Sequence, residues 1–222
     1  MGAVGAILAK ELKVEFRNKQ TIVSYLLLAI LIMASFRFSF RTFDKEATEL
    51  ASPILWITIF FSGMLSLTPS YKREVDEGTK EGLLLAPAPH SSVYLGKLLA
   101  SLMVVFGLLG ITLVLFFVFF PYGMPDPVAL GTVLVLGTLG FVVLGSLLSA
   151  ISANLEQAGV MLMVLSIPVM LFTVVLSAIS ATSQVFDGGG MADIDSELRL
   201  LAVFDLVFFA IGYLLIDYIL EA

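Results

Sequence analysis

Six stretches of this sequence run for seventeen residues or more with at most one Asp, Glu, Lys or Arg: 20–36, 51–71, 98–125, 127–155, 157–186 and 200–216, the last interrupted by Asp205. A helix rises about 1.5 Å per residue, so a bilayer core about 30 Å thick is crossed by about 20 apolar residues. Barrel strands would instead alternate over about 9–11 residues, and these runs do not. No soluble core could hide them. The chain is 59% hydrophobic and 14% charged over 222 residues, where soluble domains hold roughly 45–50% and about 25%. The sequence therefore predicts an all-α membrane protein of six transmembrane helices in one domain, 1–222. The expected spans are about 20–40, 51–71, 93–120, 127–152, 157–181 and 199–219, preceded by a helix at about 3–19. The uncharged stretch 82–96 contains Pro87, Pro89 and His90 and reads as a short helix and turn. The first apolar run follows too long a polar segment, without a small-residue cleavage site, to read as a signal peptide, so the first span is expected to be retained.

Basic residues near span ends set orientation. With the N-terminus in the cytoplasm, Lys10, Lys13, Arg17, Lys19, Lys72, Arg73, Lys80 and Lys97 lie inside, against Arg37, Arg41, Lys45 and Arg199 outside. Both termini are expected to be cytoplasmic. The net charge of −6 argues against a nucleic-acid partner, which would call for a basic face.

Residues 3–19 carry an amphipathic pattern. At about 100° per residue, Val4, Leu8, Leu12 and Phe16 share one arc while Lys10, Lys13 and Arg17 gather opposite, the signature of a helix lying in the membrane interface. Glu11 and Glu15 break the boundary between the two faces.

The catalytic inventory is thin. There is no cysteine and one histidine, His90, so neither a zinc site nor a nucleophile triad is expected, and no phosphate-cradling loop occurs. Gly188, Gly189 and Gly190 read as a flexible external loop. Arg37, Arg41 and Asp205 lie near expected span ends, where snorkelling or helix-end pairing accounts for them better than a substrate role.

The informative segment is the cytoplasmic connection 71–97. Its charges, Lys72 to Glu81, run directly into Leu83, Leu84 and Leu85 and stop at Pro87. A short helix there would leave leucines in water unless it docked on something, and Thr79 could cap it. Such a helix, held between two spans, could pass a push from a soluble motor into the membrane.

Glu74, Glu77, Gly78 and Thr79, then Glu81-Gly82-Leu83-Leu84-Leu85-Ala86-Pro87, then Tyr94-Leu95-Gly96-Lys97, resemble the signature region of the CcmB family, membrane permeases of the cytochrome c maturation ABC complex. Ile54 to Ile57 with Gly63-Met64-Leu65 resemble that family's second span, and Leu12, Glu15, Phe16 and Arg17 its N-terminal interfacial helix. Ala88-Pro89-His90 departs from the basic residue that the family tends to carry there.

The resemblance implies a type-2 ABC exporter permease fold. Its elbow helix would include Leu8, Lys10, Leu12, Lys13, Phe16 and Arg17, and its coupling segment would span 72–92. The ATPase-coupling residues would be Glu74, Asp76, Glu77, Gly78, Thr79, Glu81, Gly82, Leu83, Leu84, Leu85 and Pro87. It implies no cofactor on this chain: ATP would sit on a CcmA-type ATPase dimer and heme on partner subunits. CcmC and CcmD would complete a complex in the bacterial inner membrane, with two permease copies, that releases the heme-loaded CcmE chaperone. The segment 182–198 would form short external helices. The alternative with the same fold is a type-2 ABC permease exporting a lipid, glycan or drug. An ATP-independent transporter would need interior coupling charges, and a static scaffold would leave the docking leucines unexplained.

Overall fold

The computed structural model describes residues 2–39, 49–67, 69–79, 89–120, 125–152, 164, 169 and 174–221. Those residues form eight helices: α1 (Ala3–Arg17), α2 (Lys19–Ser39), α3 (Ala51–Leu67), α4 (Pro69–Asp76), α5 (His90–Phe119), α6 (Pro127–Ser152), α7 (Leu176–Phe186) and α8 (Asp195–Glu221). Four of them, α2, α5, α6 and α8, are long and apolar enough to cross a membrane, and α3 is a shorter apolar helix. The protein is a multi-pass membrane protein.

The observed helix ends have local causes. The segment expected to run as one span over 51–71 stops at Leu67, and Pro69 opens α4, a position where its missing N–H costs nothing. Pro89 likewise precedes α5, three residues ahead of the expected start. The last helix begins at Asp195, four residues earlier than expected. Within the expected span 157–181, only 164, 169 and 174–181 are described, and α7 carries the chain on to Phe186.

Helix α6 is the hub. Two thirds of its apolar window is buried inside the protein, against 17% for α2, so α2 is left largely uncovered by the rest of the described chain. Small residues let neighbours close in, which is how membrane helices gain packing without a hydrophobic drive between them. A Cβ on Gly137 would stand 2.3 Å from the Trp56 ring, and one on Gly145 2.4 Å from Leu67. Trp56 then donates from Nε1 to Thr182 Oγ1 at 2.8 Å, and Ser52 donates to the Ile179 carbonyl at 2.7 Å, tying α3 to α7. Tyr25 and Thr112 share a hydrogen bond of 3.1 Å between α2 and α5.

The Gly188–Gly190 segment is a pinned turn, correcting the flexible loop expected from its glycines. Gly188 has φ +93°; its N–H reaches the Val185 carbonyl and that of Gly189 the Gln184 carbonyl at 2.8 Å, the hydrogen-bond pair of a Schellman cap. Gly190 N–H donates to Asp193 Oδ2 at 2.8 Å, and fully buried Ile194 anchors the exit into α8. The region 182–198 is thus the end of α7, a turn and the first residues of α8.

Candidate functional site

Helix α1 does not lie free of the bundle. Its docking stripe is Val4, Ile7, Glu11 and Glu15, a helical repeat of three and four residues, set against the start of α5. Gly96 makes the approach possible: a Cβ there would meet Ile7 at 2.7 Å and the Val4 carbonyl at 3.3 Å. Phe16 faces outward, 69% exposed. Leu8 and Leu12 are half-buried, and Lys13 and Arg17 are exposed.

That docking explains why Glu11 and Glu15 interrupt the amphipathic pattern: both turn inward. Lys97, on α5, is 1% exposed. Its Nζ lies 3.0 Å from Glu11 Oε1 and 3.2 Å from Glu74 Oε1 of α4. Lys10 closes the ring, with its Nζ 2.7 Å from the same Glu74 oxygen and 3.3 Å from the same Glu11 oxygen. Two ammonium groups and two carboxylates therefore alternate around a closed square. The Tyr71 ring lies under the Lys97 ammonium at 4.8 Å, adding a cation–π contact. Beside the square, Arg73 pairs with Glu15 at 3.3 Å.

The electrostatics favour keeping the set whole. A buried charge needs its counter-charge, and removing one partner of such a pair costs about 3–5 kcal/mol. Here three cations (Lys10, Arg73, Lys97) balance three anions (Glu11, Glu15, Glu74). Burial alone would depress the Lys10 ammonium, but its hydrogen bond to Glu74 and the charges of Glu74 and Glu11 outweigh that and raise it above the ordinary lysine range. No nucleophile is activated here, and among the described residues no cluster of His, Cys, Asp or Glu is placed to hold a metal ion. What the arrangement offers is mechanical: three elements are fixed at one charged point.

The coupling residues divide around that point. Glu74 is turned inward, whereas Asp76, Glu77, Gly78 and Thr79 are exposed. Gly78, at φ +66°, ends α4. Its N–H goes to the Val75 carbonyl and that of Thr79 to the Glu74 carbonyl at 2.9 Å, a second Schellman cap. Thr79 thus serves the end of α4; the following helix that it was expected to cap lies outside the described residues. Glu81, Gly82, Leu83, Leu84, Leu85 and Pro87 lie outside the described residues.

Sequence reasoning passed over Glu11, Lys97 and Tyr71 as a set. The available signal was Glu11 breaking an apolar face and Lys97 standing at the head of a long apolar run. His90, at the start of α5, lies 3.4 Å from Asp217 near the end of α8, so it joins two helices.

The family model described as CcmB protein matches residues 2–218. Heme exporter protein B of Pseudomonas aeruginosa is 26% identical over 191 residues, covering 83% of each chain. Heme exporter protein B of Rhodobacter capsulatus is 25% identical over 173 residues, 78% of this chain and 79% of that one. The match to heme exporter protein B of Escherichia coli K12 is 29% over 94 residues, so this chain spans 43% of that relative's length there.

Proposed function

The chain belongs to the CcmB family, and on that premise we propose that it is the membrane permease subunit of an ABC-type heme exporter complex for cytochrome c maturation. Six spans would give a type-2 exporter fold with both termini in the cytoplasm of a bacterium and the whole set in the inner membrane. A CcmA-type ATPase dimer docks on the segment 72–92, presented by two permease copies. ATP hydrolysis there moves the spans, and CcmC, CcmD and the CcmE chaperone handle the heme. This chain contributes no catalytic group and no heme ligand.

The observation that carries the reading is the Lys97–Glu11–Glu74–Lys10 square. It joins the elbow helix, the helix entering the coupling segment and the span leaving it. Displacement of 80–88 by an ATPase therefore reaches α1 and α5 together through α4, because breaking the charges apart inside the protein is more costly than moving the elements as one.

The test is recovery of partners after mild detergent extraction. A nucleotide-binding subunit should copurify, and Leu84→Asp or Glu81→Arg should weaken that association and lower the yield of c-type cytochromes. If both variants left both readouts at wild-type level, the coupling assignment would be wrong. A purified complex that moves a lipid yet leaves release of heme-loaded CcmE unchanged would point to a generic exporter instead.

A further inference from the structure

Helices α2 and α5 pack together at Tyr25, Ala29 and Leu108, where Tyr25 and Thr112 share their hydrogen bond. Beside that contact lies a slot of about 200 Å³, between Phe16 on α1, Ile22 on α2 and Met103, Gly107 and Ile111 on α5. It is larger than the ~150 Å³ cavity that accepts a benzene, and Met103 to Ile111 covers about 12 Å of helix. Phe16, Met103, Gly107 and Ile111 are exposed, so the slot opens on the outside of the bundle. Glu15 is the one charged residue of the lining, and its carboxylate is engaged elsewhere. Oε2 accepts from Arg73 at 3.3 Å, and Oε1 is shut off from solvent.

Three cations flank the mouth of this slot. Lys13 lies one turn before Phe16 on the same face of α1, and Lys19 one turn before Ile22 on the same face of α2. Arg17 follows Phe16 as the last residue of α1. All three are exposed. None meets a carboxylate among the described residues, in contrast to Lys10, Arg73 and Lys97. The first turn of α2 begins at Lys19, adding the positive end of a helix dipole. From there α2 runs on as a helix long and apolar enough to span, which sets the cations at headgroup depth and the slot beneath them. We propose that the slot is a binding site for an anionic phospholipid, its phosphate held by Lys13, Arg17 and Lys19 and one acyl chain lying against Gly107. Charge complementarity selects this occupant. A plain alkyl chain leaves the cations unmet, and a zwitterionic lipid brings an ammonium group that they repel. The site rests on α2 and α5 crossing the bilayer and on nothing about ATP or heme, so it goes beyond the permease reading and either can fail without the other.

The probes are phosphatidylglycerol and phosphatidylcholine with the same acyl chains, one chain carrying a diazirine. On illumination the diazirine loses dinitrogen and its carbene inserts into a neighbouring C–H bond. Full-length protein in phosphatidylcholine nanodiscs is labelled with a trace of either probe, and adducts are located by peptide mass spectrometry. Val23 and Leu27, exposed on α2, report ordinary lipid contact. Relative to them, the anionic probe should label Ile22 and Met103 to Ile111 about tenfold more than the zwitterionic one. Losing each cation should cost about fivefold, so Lys13→Gln, Arg17→Gln and Lys19→Gln together should bring the two probes level. Gly107→Leu separates the chain from the headgroup: its side chain enters open space, fills the slot and should reduce slot labelling with every charge intact. Equal labelling by the two probes in the wild type would overturn the proposal, since the slot would then hold bulk lipid. Labelled Val23 and Leu27 with an unlabelled slot would overturn it too, as expected if a second copy of the chain covers it. Should a variant fold poorly, competition on the wild type still decides: unlabelled phosphatidylglycerol should suppress slot labelling, and equal suppression by phosphatidylcholine would refute the site.

Discussion

Lys97 Nζ and Glu11 Oε1 stand 3.0 Å apart although the two residues are 86 positions apart in the chain, and the lysine is almost wholly out of solvent. The pair fixes α1 to the start of α5. Glu74 shares the same ammonium, so the contact is a junction of three elements, and its strength depends on all of them.

Lys97→Ala should therefore destabilise more than a lost surface ion pair would. It leaves Glu11 and Glu74 beside each other with the half-exposed Lys10 to serve both, and about 3–5 kcal/mol is expected. The triple variant Glu11→Gln, Glu74→Gln, Lys97→Met should recover most of that loss, because the three buried charges go together and the half-exposed Lys10 can turn to water. Apparent melting temperatures in detergent measure both; equal loss in the single and triple variants would show that shape, not charge, holds the junction.

The Lys10 contribution has a definite pH sign. Its folded-state pKa is raised, so its stabilisation is fully present below the unfolded lysine value of about 10.4 and fades only as pH climbs through the folded value. The difference in melting temperature between wild type and Lys10→Met should stay constant from about pH 6 to 9 and shrink only above about 10.4. A difference that already collapses by neutral pH would place its origin elsewhere.

Gly96→Val should lift α1 from α5. The new side chain would enter space held by Ile7 and the Val4 backbone, and overpacking of this kind costs about 1–3 kcal/mol. Protease cleavage within 3–19 should rise in the variant, and Ile7→Ala should restore part of the protection. Unchanged cleavage would mean that α1 is held by its charges alone.

Gly78→Ala places a Cβ on a residue at φ +66°, a conformation costing about 1–2 kcal/mol for an L residue. The α4 terminus should fray, seen as faster amide exchange at Gly78 and Thr79, while Gly78→Asn should be milder because Asn visits that region. The reverse order of the two variants would refute the cap assignment.

Gly137→Ala forces a Cβ into the Trp56 ring and should cost about 1–3 kcal/mol. Pairing it with Trp56→Leu should return less than the sum of the two losses, since each change makes room for the other. Strict additivity in melting experiments would show that α3 and α6 can separate without penalty.

Partition into lipid was legible because it depends on length and composition alone: a run such as 127–152 is too apolar and too long to be anything but a span, and α6 occupies those residues. The elbow was legible as a helix for the same reason, its period being local. Its docking was not, since Glu11 looked like noise on an amphipathic face until Lys97 was beside it. The break at Pro69 was readable in principle, but uncharged Pro69, Ser70 and Tyr71 extended the apolar run and hid it.

Asp205 shows the limit from the other side. A carboxyl near an expected span end reads as free to reach water, yet this one is buried against Gly140 of α6. The sequence by itself determined which segments leave water, because transfer free energy is a property of the residues in each segment. Only the tertiary structure decided what each buried charge means. Among the described residues, Lys97 is met by two carboxylates and the Asp205 carboxyl by no hydrogen-bond donor, and that difference arises from which helices pack together, a relation between residues far apart in the chain.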